Sequence, residues 1–237
     1  MKEVIMKKLL FWIVLIVGTV VLLGSCAKKD DSTTATAAGD VAGTGTTASG
    51  TLEGNTDLTG TFHVSWYGQE PSGGCIDNSS AISGWSLPSD TKSFKSEFII
   101  TSTSTLTKSQ VTYSDAACST MTSYFNKMYK TVTIGSELTG LTAGSSPAKP
   151  TTANKISYID EKYSLMANTT VTIAFFLSQY EQTMTSGTEL VIDESSPSTE
   201  YNLIATGTVS GSTYLFLGSG SSADNKTDWG SSNTYWK

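Results

Sequence analysis

Short segments of alternating apolar and polar residues recur along the chain between Asp57 and Lys237. In Thr61–Tyr67 every second residue from Phe62 is apolar, and Ser93–Ser102 aligns Phe94, Phe98 and Ile100 in the same way. A period of two residues is typical of strands with one buried face. The pattern therefore predicts a β-strand in each segment.

The same reading predicts further strands, separated by Gly, Ser, Thr and Asn. They are Gln110–Tyr113, Ser123–Ile134, Lys155–Met166, Thr170–Tyr180, Glu189–Ile192, Asn202–Thr206, Ser212–Leu217 and Thr234–Lys237. Thr170–Tyr180 is the most hydrophobic, and Ser123–Ile134 places Tyr124, Met128, Val132 and Ile134 in one phase. A long loop is expected over Leu138–Asn154 and a turn at Asp160-Glu161. Few long crossovers are implied, so the fold class is all-β: an up-and-down antiparallel β-barrel of about 8–10 strands, or a sandwich. A barrel is favoured because it leaves no open edge.

The N-terminus carries a different pattern. Lys2, Lys7 and Lys8 precede the apolar run Leu9–Leu23, which ends at Gly24-Ser25-Cys26. A transmembrane helix needs about 20 apolar residues, and this run is shorter, as in a signal peptide. The segment resembles a bacterial lipoprotein signal peptide with its lipobox. The resemblance implies cleavage before Cys26, diacylglycerol on the Cys26 thiol and acylation of the new amino group, for example with palmitate.

Residues 27–53 are mostly Ala, Gly, Ser and Thr, which bury too little surface to offset the entropy of ordering. We expect three regions: residues 1–25 as signal peptide, 26–56 as lipidated Cys26 and flexible tether, and 57–237 as the folded domain. Ala27 stands where an Asp is the usual inner-membrane retention signal, which favours the outer membrane of the cell envelope.

The charge balance excludes one class of partner. All 15 basic residues are Lys, and beyond the leader 12 Lys face 20 acidic residues, a net charge of −8. Nucleic-acid binding requires a basic face, usually with Arg. We expect no nucleic-acid partner, and the protein partner, if there is one, is not specified by the sequence.

Two cysteines remain after lipidation of Cys26. In an exported protein Cys75 and Cys118 point to one disulfide. A pair of metal ligands is the alternative, which the single His and the lack of Cys-x-x-Cys spacing disfavour.

No catalytic or metal motif stands out. His63 is the only His, no nucleophile elbow occurs, and Ser89-Asp90-Thr91-Lys92 matches a Ser-x-x-Lys pattern by chance. Asp160-Glu161 and Asp193-Glu194 point to opposite faces of a strand or lie in turns. The segment Asp224–Asp228 lacks the Gly of a calcium loop. We expect no enzyme activity, no cofactor and no metal.

The aromatic residues are the remaining candidates for function. Five of them are expected to face the barrel interior and to bind a small hydrophobic ligand: Trp66, Phe98, Phe175, Tyr214 and Phe216. The alternative is that they fill a small barrel.

The order of several short motifs resembles bacterial lipocalin-like lipoproteins, and more distantly the extracellular repeat of the APC-down-regulated Wnt inhibitor. The motifs are Leu58-Thr59-Gly60-Thr61-Phe62, Tyr113-Ser114-Asp115-Ala116-Ala117-Cys118, Thr131–Gly135, Tyr214–Gly218 and Tyr235-Trp236-Lys237. The resemblance implies a lipocalin-like barrel with Cys75 and Cys118 paired at one end. The function expected is a membrane-anchored envelope lipoprotein that binds a small apolar ligand, or else a structural or surface-interaction lipoprotein with a filled barrel.

Overall fold

The structure is a computed structural model that describes residues 48, 50–65, 71–143, 148–229 and 232–237. All of them belong to the compact unit Thr34–Lys237. The expected signal peptide, Cys26, most of the expected tether and Trp66 lie outside the described residues. No helix in the described part of the chain is long and apolar enough to cross a membrane.

The described residues form a mostly antiparallel β structure with two short helices. The strands are β1 (Thr61–Val64), β2 (Ser93–Ile100), β3 (Leu106–Tyr113), β4 (Met121–Thr139), β5 (Thr152–Ala167), β6 (Leu190–Asp193), β7 (Thr199–Val209), β8 (Ser212–Gly218) and β9 (Ser232–Trp236). The helices are α1 (Ser79–Gly84) and α2 (Thr170–Tyr180), and a 3-10 turn spans Ser72–Gly74.

Eight of these strands close into a ring-like sheet. Its order is β4-β3-β2-β1-β9-β8-β7-β5, and β5 pairs back to β4, while β6 lies beside β5 outside the ring. Each named pair is antiparallel. The expectation of an antiparallel all-β fold is confirmed at this level.

The main core lies on the inner face of the ring, because one apolar cluster draws side chains from all eight strands. Phe62 pairs in register with Phe98, and Phe98 contacts Tyr235 across β1 with ring centroids 5.9 Å apart. The predicted shared face of Phe94, Phe98 and Ile100 is confirmed, and all three are fully buried.

A second cluster covers the outer face of β7 and β8. Tyr214 and Phe216 alternate with the inward Leu215 and Leu217, and they pack under Trp229 and Leu141. The Trp229 indole N–H donates to the Pro150 carbonyl at 2.9 Å. This outer layer uses apolar residues that the alternating pattern alone could assign to either face.

The strand predicted over Thr170–Tyr180 is wrong, because this segment is the helix α2. Thr169 caps it through a reciprocal pair of hydrogen bonds with Thr172, which satisfies amides that a helix start leaves free. A continuous apolar run fits a buried helix as well as a strand, and β6 already occupies the sheet position beside β5. Phe176 buries α2 against Leu165 on the inner face of β5.

The long loop predicted over Leu138–Asn154 is shorter, since β4 continues to Thr139 and β5 begins at Thr152. The turn predicted at Asp160-Glu161 is wrong: the strand pairing skips Glu161, so the pair forms a bulge within β5. The predicted common phase in β4 is also wrong. Thr131 has a φ of +51° at a register shift, so Tyr124 faces outward while Val132 enters the inner core.

The folded chain begins before the expected boundary at Asp57. Thr51 pairs with Thr59, and Leu52 is buried in the inner core beside Leu58. The Leu52 amide donates to the Leu58 carbonyl at 3.0 Å. The end of the expected tether is therefore packed, because its few apolar residues find a place at the edge of the core.

Candidate functional site

Two features occupy the end of the ring where β3 ends and β4 begins. The first is the disulfide Cys75–Cys118, with Cα atoms 5.9 Å apart, which confirms the predicted pairing. It ties the segment between β1 and β2 to the loop between β3 and β4. Closing a loop of about 44 residues stabilises a fold by about 4 kcal/mol on the chain-entropy model.

The second feature is Asp115, which organises the loop that carries Cys118. Its carboxylate accepts the amides of Ala117 and Ser119 at 2.9 and 3.1 Å and that of Thr120 at 2.6 Å. Desolvation acts to raise the pKa of Asp115, but the hydrogen bonds from Ser119 and Thr120 prevail and lower it to about 2. Cys118 has a φ of +52°, an unusual conformation for a residue with a side chain. The Asp and Cys of this motif are thus linked by the geometry of one loop.

The five aromatic residues predicted to line one ligand cavity do not converge. Phe98 is fully buried in the inner core, whereas Tyr214 and Phe216 lie on the outer face beneath Trp229. Phe175 belongs to α2, and Trp66 lies outside the described residues. The strand alternation in β8 explains this separation, because Leu215 and Leu217 take its inward positions.

The inner face instead gathers a charged group that sequence reasoning missed. We call Lys108, Lys127, Tyr129, Tyr158, Asp160 and Glu200 the lysine–tyrosine cluster. It comes from four adjacent strands of the ring. Lys108 and Lys127 are direct cross-strand partners in β3 and β4, and Glu200 of β7 pairs with Tyr158 of β5.

The cluster is held by short polar contacts. Lys108 Nζ donates to Tyr158 Oη at 2.9 Å and to Glu200 Oε1 at 3.1 Å. Tyr158 Oη in turn donates to Glu200 Oε1 at 2.7 Å, and Lys127 Nζ lies 3.0 Å from Asp160 Oδ1. The Lys108 ammonium also lies 4.8–5.0 Å from the ring centres of Tyr158 and Tyr129, a cation–π distance.

The electrostatics of the two ion-paired groups differ. Burial is the main cause that lowers the pKa of Lys108, with attraction to Glu200 opposing it and the positive charge of Lys127 adding to it. Burial acts to raise the pKa of Glu200, yet attraction to Lys108 and the hydrogen bond from Tyr158 hold it below its usual value. Burial therefore prevails at Lys108, whereas attraction to the ammonium and the hydrogen bond from Tyr158 prevail at Glu200.

The cluster remains reachable by small molecules. About a quarter of the side-chain surface is exposed for Lys108, Lys127 and Glu200, at 27, 25 and 24%. Phe62, Phe94, Phe98 and Tyr158, by contrast, are each 0% exposed. The cluster therefore adds a partly exposed polar area to the inner face.

The alternation of side chains along β4 contained a sequence signal for the cluster. Phe125, Lys127 and Tyr129 alternate, and this phase faces inward, while the more hydrophobic phase of Tyr124 and Met128 faces outward. A lysine in an inward phase is only credible when a carboxylate from a distant strand pairs with it. Asp160 becomes its neighbour through the pairing of β4 with β5, and Glu200 approaches through the pairing of β5 with β7.

The other residues considered as candidates from the sequence do not form a catalytic group with one another. His63 faces outward, lies 3.1 Å from Glu97 and packs on Trp236. A Cβ on Gly74 would lie 2.3 Å from His63 Nδ1, so the chain approaches this ring closely. Ser89 and Lys92 line a surface cleft of about 410 Å³ beside α1. Within the described residues, no three His, Cys, Asp or Glu side chains are grouped as metal ligands.

Comparison with known proteins finds neither a matching family model nor a similar curated protein.

Proposed function

We propose that this chain is a lipid-anchored lipoprotein of the cell envelope, more specifically of the outer membrane, and that it acts by contact with a protein partner rather than as an enzyme. The leader and Cys26 supply the anchor, and the ring-like sheet is a lipocalin-like barrel with a filled interior. The mutual burial of large apolar side chains on the inner face is the observation that carries this choice over a small apolar ligand.

The packing of the inner face supports the filled interior. Its large apolar side chains come from all eight ring strands and already bury one another. An apolar ligand gains binding free energy from apolar surface that is still open to water. Lys108, Lys127 and Glu200 also lie on the inner face and are partly exposed, and an apolar ligand would have to desolvate their charges.

The outer surface of α2 supports a protein contact. Three of its large apolar residues are exposed, Val171 at 38%, Leu177 at 50% and Tyr180 at 43%. The helix contains no charged residue. An uncharged, apolar helix surface suits a partner that presents an apolar patch of its own.

The position of α2 also fits this role. The chain enters the fold at Thr51, at the end of the ring where β1 begins and β2 ends. Helix α2 follows Ala167, which pairs with Ser123 at the opposite end. Helix α2 therefore lies at the end of the ring opposite to the entry of the chain at Thr51.

Ligand uptake tests the choice directly. The purified mature protein is titrated with a fluorescent long-chain fatty acid, and displacement by oleate is measured. We expect no saturable binding, because the interior is filled. Saturable binding that oleate displaces would instead support a small-ligand lipocalin-like carrier.

Contact through α2 is tested by site-specific photo-crosslinking in intact cells. A photoreactive amino acid is placed at Leu177 and, as a matched control, at Val191. Val191 is similarly exposed at 45% but lies on β6, on the face opposite to α2. We expect a discrete protein adduct only from position 177, and loss of that adduct in the variant Val171→Asp. Equal adducts from both positions would contradict the proposal.

A further inference from the structure

The lysine–tyrosine cluster brings two ammonium groups together inside the ring. Lys108 and Lys127 occupy directly opposed positions on β3 and β4, where like charges repel. Each has a carboxylate within 3.1 Å, Glu200 for Lys108 and Asp160 for Lys127. A filled barrel interior has no need of four charged groups, since apolar residues of similar size pack there at lower cost.

Lys108 has the surroundings of an activated amine. Burial and a second cation nearby are the two conditions that turn a lysine into a nucleophile, because both favour its neutral form. Both conditions hold for Lys108, and burial together with Lys127 lowers its pKa despite Glu200. The charged or titratable groups that face it are Lys127 and Tyr129 from β4, Tyr158 and Asp160 from β5 and Glu200 from β7.

We propose that Lys108 is a carbonyl-reactive amine, which forms a reversible Schiff base with small neutral aldehydes at the solvent-exposed part of the cluster. Small size follows from the access, since only 27% of the side chain is exposed. The aldehyde is expected to carry no charge, because the charges of the two lysines and two carboxylates in the cluster already balance. This activity is separate from the proposed protein contact and does not depend on it.

The reaction balances without an oxidant or reductant. The neutral Nζ attacks the carbonyl carbon and forms a C–N bond, and proton transfer gives a carbinolamine. The carbinolamine oxygen then leaves as water, so one water is released for each imine formed. Tyr158 Oη, 2.9 Å from Nζ, is placed to donate the proton to the departing oxygen.

Glu200 is held in place by a close backbone contact. A Cβ built on Gly220 would lie 2.4 Å from Glu200 Oε1. The variant Gly220→Ala should therefore displace the Glu200 carboxylate from its present contact with Lys108 without changing any charge. Like Glu200→Gln, it should weaken the attraction between position 200 and the Lys108 ammonium.

The experiment measures the site of reductive alkylation. The full mature protein is treated with propanal and sodium cyanoborohydride at pH 7, and peptide mass spectrometry gives the rate at each lysine. Lys130, exposed on β4, is the internal reference. Because each unit of pKa lowering raises the neutral amine about tenfold, we expect Lys108 to react several-fold faster than Lys130. The difference should disappear in urea.

The variants separate an activated amine from a merely accessible one. Glu200→Gln and Gly220→Ala should speed the reaction of Lys108 at pH 7, since they remove an attraction that favours the ammonium. Lys127→Gln should slow it, since it removes a repulsion. Lys162→Gln is the matched control, because Lys162 pairs with Met128 on the outward face of β5, and it should change nothing.

Two results would overturn the proposal. One is a Lys108 that reacts no faster than Lys130 in the folded wild-type protein, a comparison that needs no variant. The other is a change of the same sign in Glu200→Gln and Lys127→Gln. Variants are compared only when their circular dichroism matches that of the wild type.

Discussion

At the scale of single residues, Asp115 has more influence than its exposed position implies. Three backbone amides donate to its carboxylate and fix the loop that presents Cys118 for the disulfide. The short spacing between Asp115 and Cys118 therefore serves the geometry of this loop rather than a reaction or a binding site.

The variant Asp115→Asn tests this reading through its pH dependence. The pKa of Asp115 in the folded protein is about 2, lower than the value of about 4 expected for an unfolded chain. The charge therefore stabilises the fold at pH 5 and above, and this stabilisation is lost as the pH falls from about 4 towards 2. Urea midpoints should be lower for the variant at pH 6, with the gap closing near pH 2. A gap that does not depend on pH would contradict a role for the charge.

Gly74 provides a second test at this scale. It has a φ of +72°, and a side chain there would collide with His63. Its neighbour Gly73 has a φ of +57° and open space around the Cβ position, which makes Gly73→Ala a matched control. We expect Gly73→Ala to cost about 1 kcal/mol for backbone conformation, and Gly74→Ala about 1–3 kcal/mol more for the collision. Equal losses in chemical denaturation would show that the His63 contact yields easily.

At the scale of elements, α2 is the segment where local signals and tertiary context differ most. Its central run Ile173–Leu177 is apolar and gives no periodicity that separates a helix from a strand. The Thr169-x-x-Thr172 capping pair is the local signal that favours a helix. Thr169 also donates to Asp90 Oδ2 at 2.7 Å, which joins the start of α2 to the loop before β2.

Thr169→Ala should therefore destabilise the protein by about 1 kcal/mol, since it removes the helix cap. Thr170→Ala is the control, because Thr170 is exposed at the first position of the helix. Free energies of unfolding from urea titrations measure both. If the control loses as much as Thr169→Ala, the cap is not the cause.

The disulfide is the second element-scale feature. Cys75→Ser should lower the melting temperature by several degrees, because the unfolded chain regains the entropy of a loop of about 44 residues. Cys118, otherwise buried at 7% exposure, should also become a free thiol that a maleimide labels after mild denaturation. The double variant Cys75→Ser/Cys118→Ser should be equally unstable and not labelled. A Cys75→Ser variant as stable as the wild type would contradict the stabilising role.

At the scale of the whole molecule, the proposed anchor and the filled ring are independent features. Cys26→Ser removes the proposed lipid attachment site but no residue of the described fold. We expect the variant to lose the mass of the acyl chains and to leave the detergent-rich phase in Triton X-114 partitioning, because stable anchoring requires two or more chains. Its melting temperature should match that of the wild type. A Cys26→Ser variant that still partitions with detergent would contradict lipid anchoring through this residue.

How much of the fold could be predicted depended on the kind of pattern. Alternation predicted the antiparallel β class and the common face of Phe94, Phe98 and Ile100, because it depends only on residues close together in the chain. The pair Cys75–Cys118 was predictable because only two cysteines remain for a disulfide once Cys26 is set aside. The continuous apolar run of α2 was not, since periodicity fails in a segment with no polar residues at regular intervals. The bulges at Thr131 and Glu161 also escaped prediction, and each shifts the face of the residues beyond it.

The sequence by itself determined the antiparallel β class, because short-range alternation favours strands, and its cysteine count pointed to the disulfide Cys75–Cys118. Only the tertiary structure decided which face of each strand is inside, since that depends on how the sheet closes. Closure places Tyr214 and Phe216 outside under Trp229, and Lys108 inside beside Tyr158 and Glu200. A charged side chain can lie inside a ring only when its partners arrive from distant strands, and such partners lie far apart along the chain.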